Sequence, residues 1–208
     1  YNKKMKQIFA HRALMNSQEH SFEGISYFAE LGLAMELDLR NSSAGIYLSH
    51  DHTGKGILFN DICPILSKSD SLIALHIKEL EVLPNIFELV NKFKLKNFFI
   101  FDSDFERMCS VFDNQYVGFY ANMTPQNKHS AKILWCDEIK ENWYSIQNIE
   151  NLHKQNKILY SVSRELITSS SMDEIRSEWF RLIKLGFDGI CTNYPLELQK
   201  FWMEVEKN

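Results

Sequence analysis

Cysteine is scarce in this chain and widely spread. Cys63, Cys109, Cys136 and Cys191 form no C-x-x-C pair, which excludes a zinc ribbon and a dense disulfide framework. Cys109, Cys136 and Cys191 sit among hydrophobic residues and read as small apolar packing groups. This usage favours a reducing setting, and a cytoplasmic protein is expected. No apolar run is long enough to span a bilayer. No signal-peptide pattern opens the sequence either, but a first residue of Tyr1 rather than Met gives that absence little weight. Charge of one sign does not accumulate: a formal net charge of −4 over 208 residues gives no reason to expect a nucleic-acid surface. No linker divides the chain, and no G-x-G-x-x-G follows the first predicted strand to support a dinucleotide site.

What is present fits one globular domain over residues 1–208, with an apolar fraction of 45% and an aromatic fraction of 13%. Short segments rich in Ile, Leu and Phe predict strands at 7–10, 34–40, 72–78, 97–101, 116–120, 132–136, 157–161 and 189–192. Amphipathic stretches lie between them. Residues 22–31 repeat apolar side chains at helical spacing and stop at Gly32. Pro84 suits the first turn of a helix over 84–95. Ser171-Met172-Asp173-Glu174 reads as a capping box opening a helix that ends before Gly186, and a last helix starts near Pro195. Eight strands alternating with helices over this length predict a small (β/α)8 barrel, with an open doubly wound sheet as the main competitor.

Polar residues collect at or beside the ends of the first strands: His11-Arg12, Glu19, Glu36-Leu37-Asp38, His50-Asp51 and His76-Ile77-Lys78. Residues two apart on a strand point to one face. That spacing aims Glu36 and Asp38 one way, and His76 and Lys78 likewise, and barrel chemistry gathers at the C-terminal ends of strands. The pattern predicts a metal site with acid–base partners. Glu36 and Asp38 could instead pair with Arg12, Arg40 or Lys78, but two inward carboxylates are costly to bury unpaired, which favours a cation. His76 reads as either a ligand or a packed core residue. His20 and His52 are expected at the surface or behind the site, His129 and His153 in solvent, and Trp179 and Trp202 packed on the barrel.

These motifs, in this order, resemble the glycerophosphodiester phosphodiesterase family, part of a barrel superfamily that includes phosphatidylinositol-specific phospholipase C and sphingomyelinase D. The family opens with a strand ending in H-R-G and then E-N-T, where this chain has Ile8-Phe9-Ala10-His11-Arg12-Ala13 and Glu19-His20-Ser21. Its E-x-D matches Glu36-Leu37-Asp38, and its H-D, after a small turn and short strand, matches His50-Asp51 behind Ala44-Gly45-Ile46-Tyr47-Leu48-Ser49. Its E-I-K corresponds to His76-Ile77-Lys78, and its W-T-V-N to Tyr160-Ser161-Val162-Ser163. Its G-V-D-G-I-x-T-D-x-P corresponds to the run from Gly186 through Asp188, Gly189 and Thr192 to Pro195. Three departures stand out: H-R-A for H-R-G, which alters the backbone there, His76 for the family's glutamate ligand, and a short segment from Asp51 to Leu72 where the family carries a cap.

The resemblance implies a metal-dependent phosphodiesterase. One divalent ion (Mg²⁺, Ca²⁺ or Mn²⁺, with His76 opening the way to a transition metal) would be held by Glu36, Asp38 and His76, with Glu19 completing its shell or orienting Arg12. It would act as a Lewis acid on the phosphate and a neighbouring substrate hydroxyl. His11 and His50 would be the general acid and base, in an order left open. Arg12 and Lys78 would bind the phosphate, and Tyr160 would line the substrate pocket. The shortened cap points to a phosphodiester bulkier than a simple glycerophospho-alcohol, such as one linked to a glycan. Two alternatives remain: a lyase that releases a cyclic phosphate, as in sphingomyelinase D, and a barrel that binds phosphorylated ligands without turning them over.

Overall fold

The computed structural model describes residues 6–124 and 130–207; His129 lies outside the described residues. In chain order the elements are β1 (Gln7–Ala10), α1 (Phe22–Glu30), β2 (Ala34–Ser42), β3 (Gly45–Leu48), α2 (Phe59–Leu66), β4 (Ile73–Ile77), α3 (Leu83–Lys92), β5 (Phe98–Asp102), α4 (Phe105–Cys109), β6 (Val117–Ala121), β7 (Ile133–Cys136), α5 (Ile146–Lys154), β8 (Ile158–Val162), α6 (Met172–Leu185), β9 (Gly189–Thr192) and α7 (Pro195–Lys207). Strand order is β1-β9-β8-β7-β6-β5-β4-β2-β3, with β1 also paired to β2. Eight strands therefore close as a small (β/α)8 barrel, and β3 is an antiparallel addition to β2. All eight predicted strands are present. The ninth, β3, is the short strand that the resemblance placed before His50. Among the described residues no helix is long and apolar enough to cross a membrane.

The chain divides into two compact units, and each has its own core. In the unit Ala10–Gly118, β2 alternates as a strand buried on both sides must. Met35, Leu37 and Leu39 are fully buried toward one side, while Glu36 and Asp38, at 3% and 1% exposure, occupy the other. β4 pairs with β2 in parallel, setting Glu36 beside Ala74 and Asp38 beside His76. β5 then sets Phe101 beside His76.

Helix α1 shows how packing fixes the start of this unit. Ser21 caps it by accepting the Gly24 N–H at 3.0 Å. Gly24 is there for room: a Cβ on it would stand 2.3 Å from the Ala13 carbonyl oxygen. Gly24→Ala would gain about 1 kcal/mol of helix propensity but incur overpacking of roughly 1–3 kcal/mol, since a backbone carbonyl cannot step aside. The expected result is net destabilisation, with thermal melts several degrees below the wild type and altered amide shifts at Arg12 and Ala13. An unchanged melting curve would show that the approach is not tight.

The unit formed by residues 1–9 and 119–208 carries β7, β8 and β9 in parallel. Its α6 begins with the expected capping box at Ser171 and Glu174 and ends at Gly186, whose φ of +91° is the left-handed conformation a C-terminal glycine supplies. Trp179 is fully buried, with its Nε1 donating to Ser163 Oγ at 2.8 Å, and Trp202 is buried on α7. His153 differs from its expected solvated state. Its ring is half-buried, with Nε2 3.1 Å from Asp188 Oδ2, an oxygen that also accepts the Leu159 N–H. A largely covered carboxylate beside a strand needs donors, and the last turn of α5 provides one. Cys63, Cys136 and Cys191 are buried free thiols, while Cys109 is only partly covered.

Candidate metal centre and acid–base site

Every candidate residue except Tyr160 lies within the unit Ala10–Gly118. The in-register pairing of β2 and β4 brings Glu36, Asp38 and His76 together, with one potential ligand atom of each lying within 4.8 Å of the others. His76 Nδ1 is 3.1 Å from Asp38 Oδ1 and 3.8 Å from Glu36 Oε1. Its ring stacks on Phe101, centroids 4.5 Å apart and planes 17° apart, which fixes the imidazole against the carboxylates. Burial lowers the His76 pKa against the pull of Asp38, favouring the neutral, ligating form.

Two cations, Arg12 and Lys78, approach the two acids. Arg12 donates its backbone N–H to Glu36 Oε2 at 3.1 Å, sets Nε 3.3 Å from Asp38 Oδ2, and reaches Glu19 Oε1 with Nη1 at 2.8 Å. Lys78 Nζ is 3.5 Å from Asp38 Oδ1. Burial and then the neighbouring Asp38 charge push the Glu36 carboxyl well above its ordinary range. Burial works the same way on Asp38, but close contact with His76, and then Lys78 and His20, outweighs it and holds that carboxyl below the usual range. The two acids therefore take opposite protonation preferences. Both Asp38 oxygens are buried without a donor in hydrogen-bond geometry.

The turn that carries Arg12 is strained. Arg12 and Ala13 have φ of +52° and +46° in the 3-10 turn His11–Ala13, which follows β1 directly. A left-handed alanine costs about 1–2 kcal/mol. Ala13 thus holds a backbone conformation that glycine adopts without this penalty. His11 opens this turn and is half-buried. Glu19 is tied to Arg12 and is not among the three clustered ligand groups.

His20 is the residue whose importance the sequence conceals. It is 6% exposed, and its Nε2 accepts the Asp38 backbone N–H at 3.1 Å. That bond requires an unprotonated Nε2, and burial, working against Asp38 and Glu19, lowers its pKa to about 4. The only signal was its place between Glu19 and the capping Ser21.

His50 leaves β3 on an exposed loop with its Nδ1 2.8 Å from Asp51 Oδ1. An ionised Asp51 only accepts, so the Nδ1 proton is committed to this bond and Nε2 is the ring nitrogen left to face a substrate. A cavity of about 580 Å³ opens beside it, lined by Glu19, His20 and His50 with Gln18, Thr53 and Lys55. Tyr160, on β8 of the other unit, is buried, with its ring packed at 4.8 Å on Phe9 and 6.4 Å on Trp135.

The chain shares the fold of the glycerophosphoryl diester phosphodiesterases. A structure from Silicibacter pomeroyi assigned to that activity superposes with a TM-score of 0.79 at 11% identity, covering 99% of this chain and 95% of its own. A glycerophosphodiester phosphodiesterase from Parabacteroides distasonis gives 0.75 at 14% identity, covering 98% and 99%. Other barrels agree less well: a 7,8-dihydropteroate synthase from Vibrio fischeri gives 0.57 at 7% identity, covering 97% and 92%. No protein-family model matches the sequence, and no curated protein is significantly similar to it.

Proposed function

We propose that this protein is a metal-dependent phosphodiesterase of the glycerophosphodiester phosphodiesterase type. One observation carries the reading: Glu36, Asp38 and His76 converge from two adjacent strands onto a point where two buried carboxylates face a neutral imidazole. Buried acids in this arrangement call for a positive centre, and the set of two carboxylate groups and one imidazole suits a divalent cation. When bound, such an ion supplies Lewis acidity to a phosphoryl oxygen and a neighbouring hydroxyl.

The chain's own groups supply the rest. One of His11 and His50 takes the proton of a substrate hydroxyl beside the phosphodiester as its oxygen attacks phosphorus. As the bond from phosphorus to the departing alcohol breaks, the other gives that alcohol a proton. Arg12 and Lys78 face the charge that grows on the phosphoryl oxygens. A cyclic phosphate results, and water then opens it. Glu19 steadies Arg12. The cavity beside His50 has room for more than a small alcohol, in keeping with a bulky or glycan-linked phosphodiester as substrate.

The test is hydrolysis of an aryl phosphodiester and a panel of glycerophosphodiesters by the purified protein, with and without added divalent ions. Metal-dependent turnover is expected, and inactivity with every substrate and ion would overturn the proposal. The same assay defines the part played by His76. Imidazole favours Mn²⁺, Co²⁺ or Zn²⁺ over hard cations, so His76→Glu is expected to move the preference toward Mg²⁺ or Ca²⁺. Identical metal profiles for the two proteins would remove His76 from the ligand set.

A further inference from the structure

His50 sits on an exposed loop braced locally by Ser49 Oγ and the Thr53 N–H, both donating to the Asp51 carbonyl oxygen at 2.8 Å. Its side chain is 42% exposed, and Asp51 and His52 are more exposed still. A loop histidine transfers protons efficiently only if its ring is held within a fraction of an ångström of the working position. The backbone under it is, however, anchored. Arg40, two residues beyond Asp38 on β2, donates Nε to the His50 carbonyl oxygen at 2.9 Å. Its Nη1 donates to Glu79 Oε1 at 2.9 Å. Glu79 is itself fixed, because its Oε2 accepts the Asn41 backbone N–H at 3.0 Å, and its Oε1 lies 3.3 Å from His52 Nδ1. The guanidinium thus bridges the exit of β4, where Glu79 follows Lys78, and the loop leaving β3. Both partners are charged and largely covered, at 17% and 24% side-chain exposure, and charge-assisted bonds of this kind are the stronger ones.

We propose that Arg40 and Glu79 form a positioning strap that holds His50 for proton transfer. The inference rests on the phosphodiesterase reading and assigns neither residue contact with substrate. Lysine should not replace Arg40 fully, because an ammonium cannot offer the planar fork that reaches a carbonyl and a carboxylate together.

A double-mutant cycle in the metal-loaded protein tests it. Arg40→Gln is expected to lower kcat by about 10- to 100-fold, the order of loss that a misplaced catalytic group brings, with KM little changed. In a His50→Ala background the same substitution should have almost no further effect. An equal loss in both backgrounds would mean that Arg40 supports the fold generally, and the strap would be rejected. If Arg40→Gln does not fold, Glu79→Gln carries the same cycle. A second readout needs no activity: in protein labelled with ¹⁵N-histidine, Arg40→Gln should broaden or shift the His50 ring signals and leave those of His153 unchanged. Unaltered His50 signals would reject the strap even if the wild type proved inactive, whereas an inactive wild type whose His50 responds would sink the enzymatic reading alone.

Discussion

Replacing His50 with alanine is expected to lower turnover by roughly 10²- to 10⁴-fold, the usual contribution of a general acid or base. His11→Ala should do the same. The expectation for His50 rests on its bond to Asp51, which commits the Nδ1 proton and leaves Nε2 to exchange one with substrate. Because the side chain is 42% exposed, its loss opens no buried cavity, and stability should change by no more than about 0.5 kcal/mol. Kinetics and thermal melts on the same preparations separate the two effects. Near-wild-type turnover in His50→Ala would remove it from the mechanism, and a lowered melting temperature would make the activity loss uninformative about proton transfer.

The other large effect is expected at Asp38. Asp38→Asn keeps the side-chain volume and removes one charge from the converging set. Two consequences should appear together: turnover should fall below detection, and the rise in melting temperature on adding a divalent ion should disappear. Ligand present at a hundred times its Kd stabilises a protein by about 2.7 kcal/mol, which for a chain of this length corresponds to roughly 5–10 °C. Asp38 has a rival role as the carboxylate that Arg12, Lys78 and His76 approach within 3.1 to 3.5 Å. If that were its whole function, Asp38→Asn would be less stable without added ion yet would keep the full metal-induced shift.

The strands and helices were legible because each carries a local signal. Buried strands read as apolar runs, and α6 advertises both ends through Ser171-Glu174 and Gly186. Helices α2, α5 and the five-residue α4 were not singled out. Pro64 lies inside α2 and argues locally against a helix despite the apolar stripe of Phe59, Ile62, Cys63 and Leu66, and α5 buries only Ile149 and Leu152. At the site, spacing alone placed Glu36 with Asp38 and His76 with Lys78. That Asp38 and His76 stand side by side is a fact of strand register, which no single strand encodes. Glu79 was missed, and His20 was left between the surface and a place behind the site, for a related reason: each acts through a backbone group brought near by folding, the N–H of Asn41 in one case and that of Asp38 in the other. Nothing in the neighbouring sequence marks such a partner.

The lateral pairing of Asp38 with His76 also bears on how such a centre could change over time. Neighbouring strands stand about 4.8 Å apart whatever side chains they carry, so the scaffold, not the ligand, sets the distance between the two groups. The residue at position 76 can therefore be exchanged, carboxylate for imidazole or the reverse, without rebuilding the wall that presents it. A lineage meeting a different supply of ions could retune its preference through one codon while the acid–base apparatus on the other loops stayed in place.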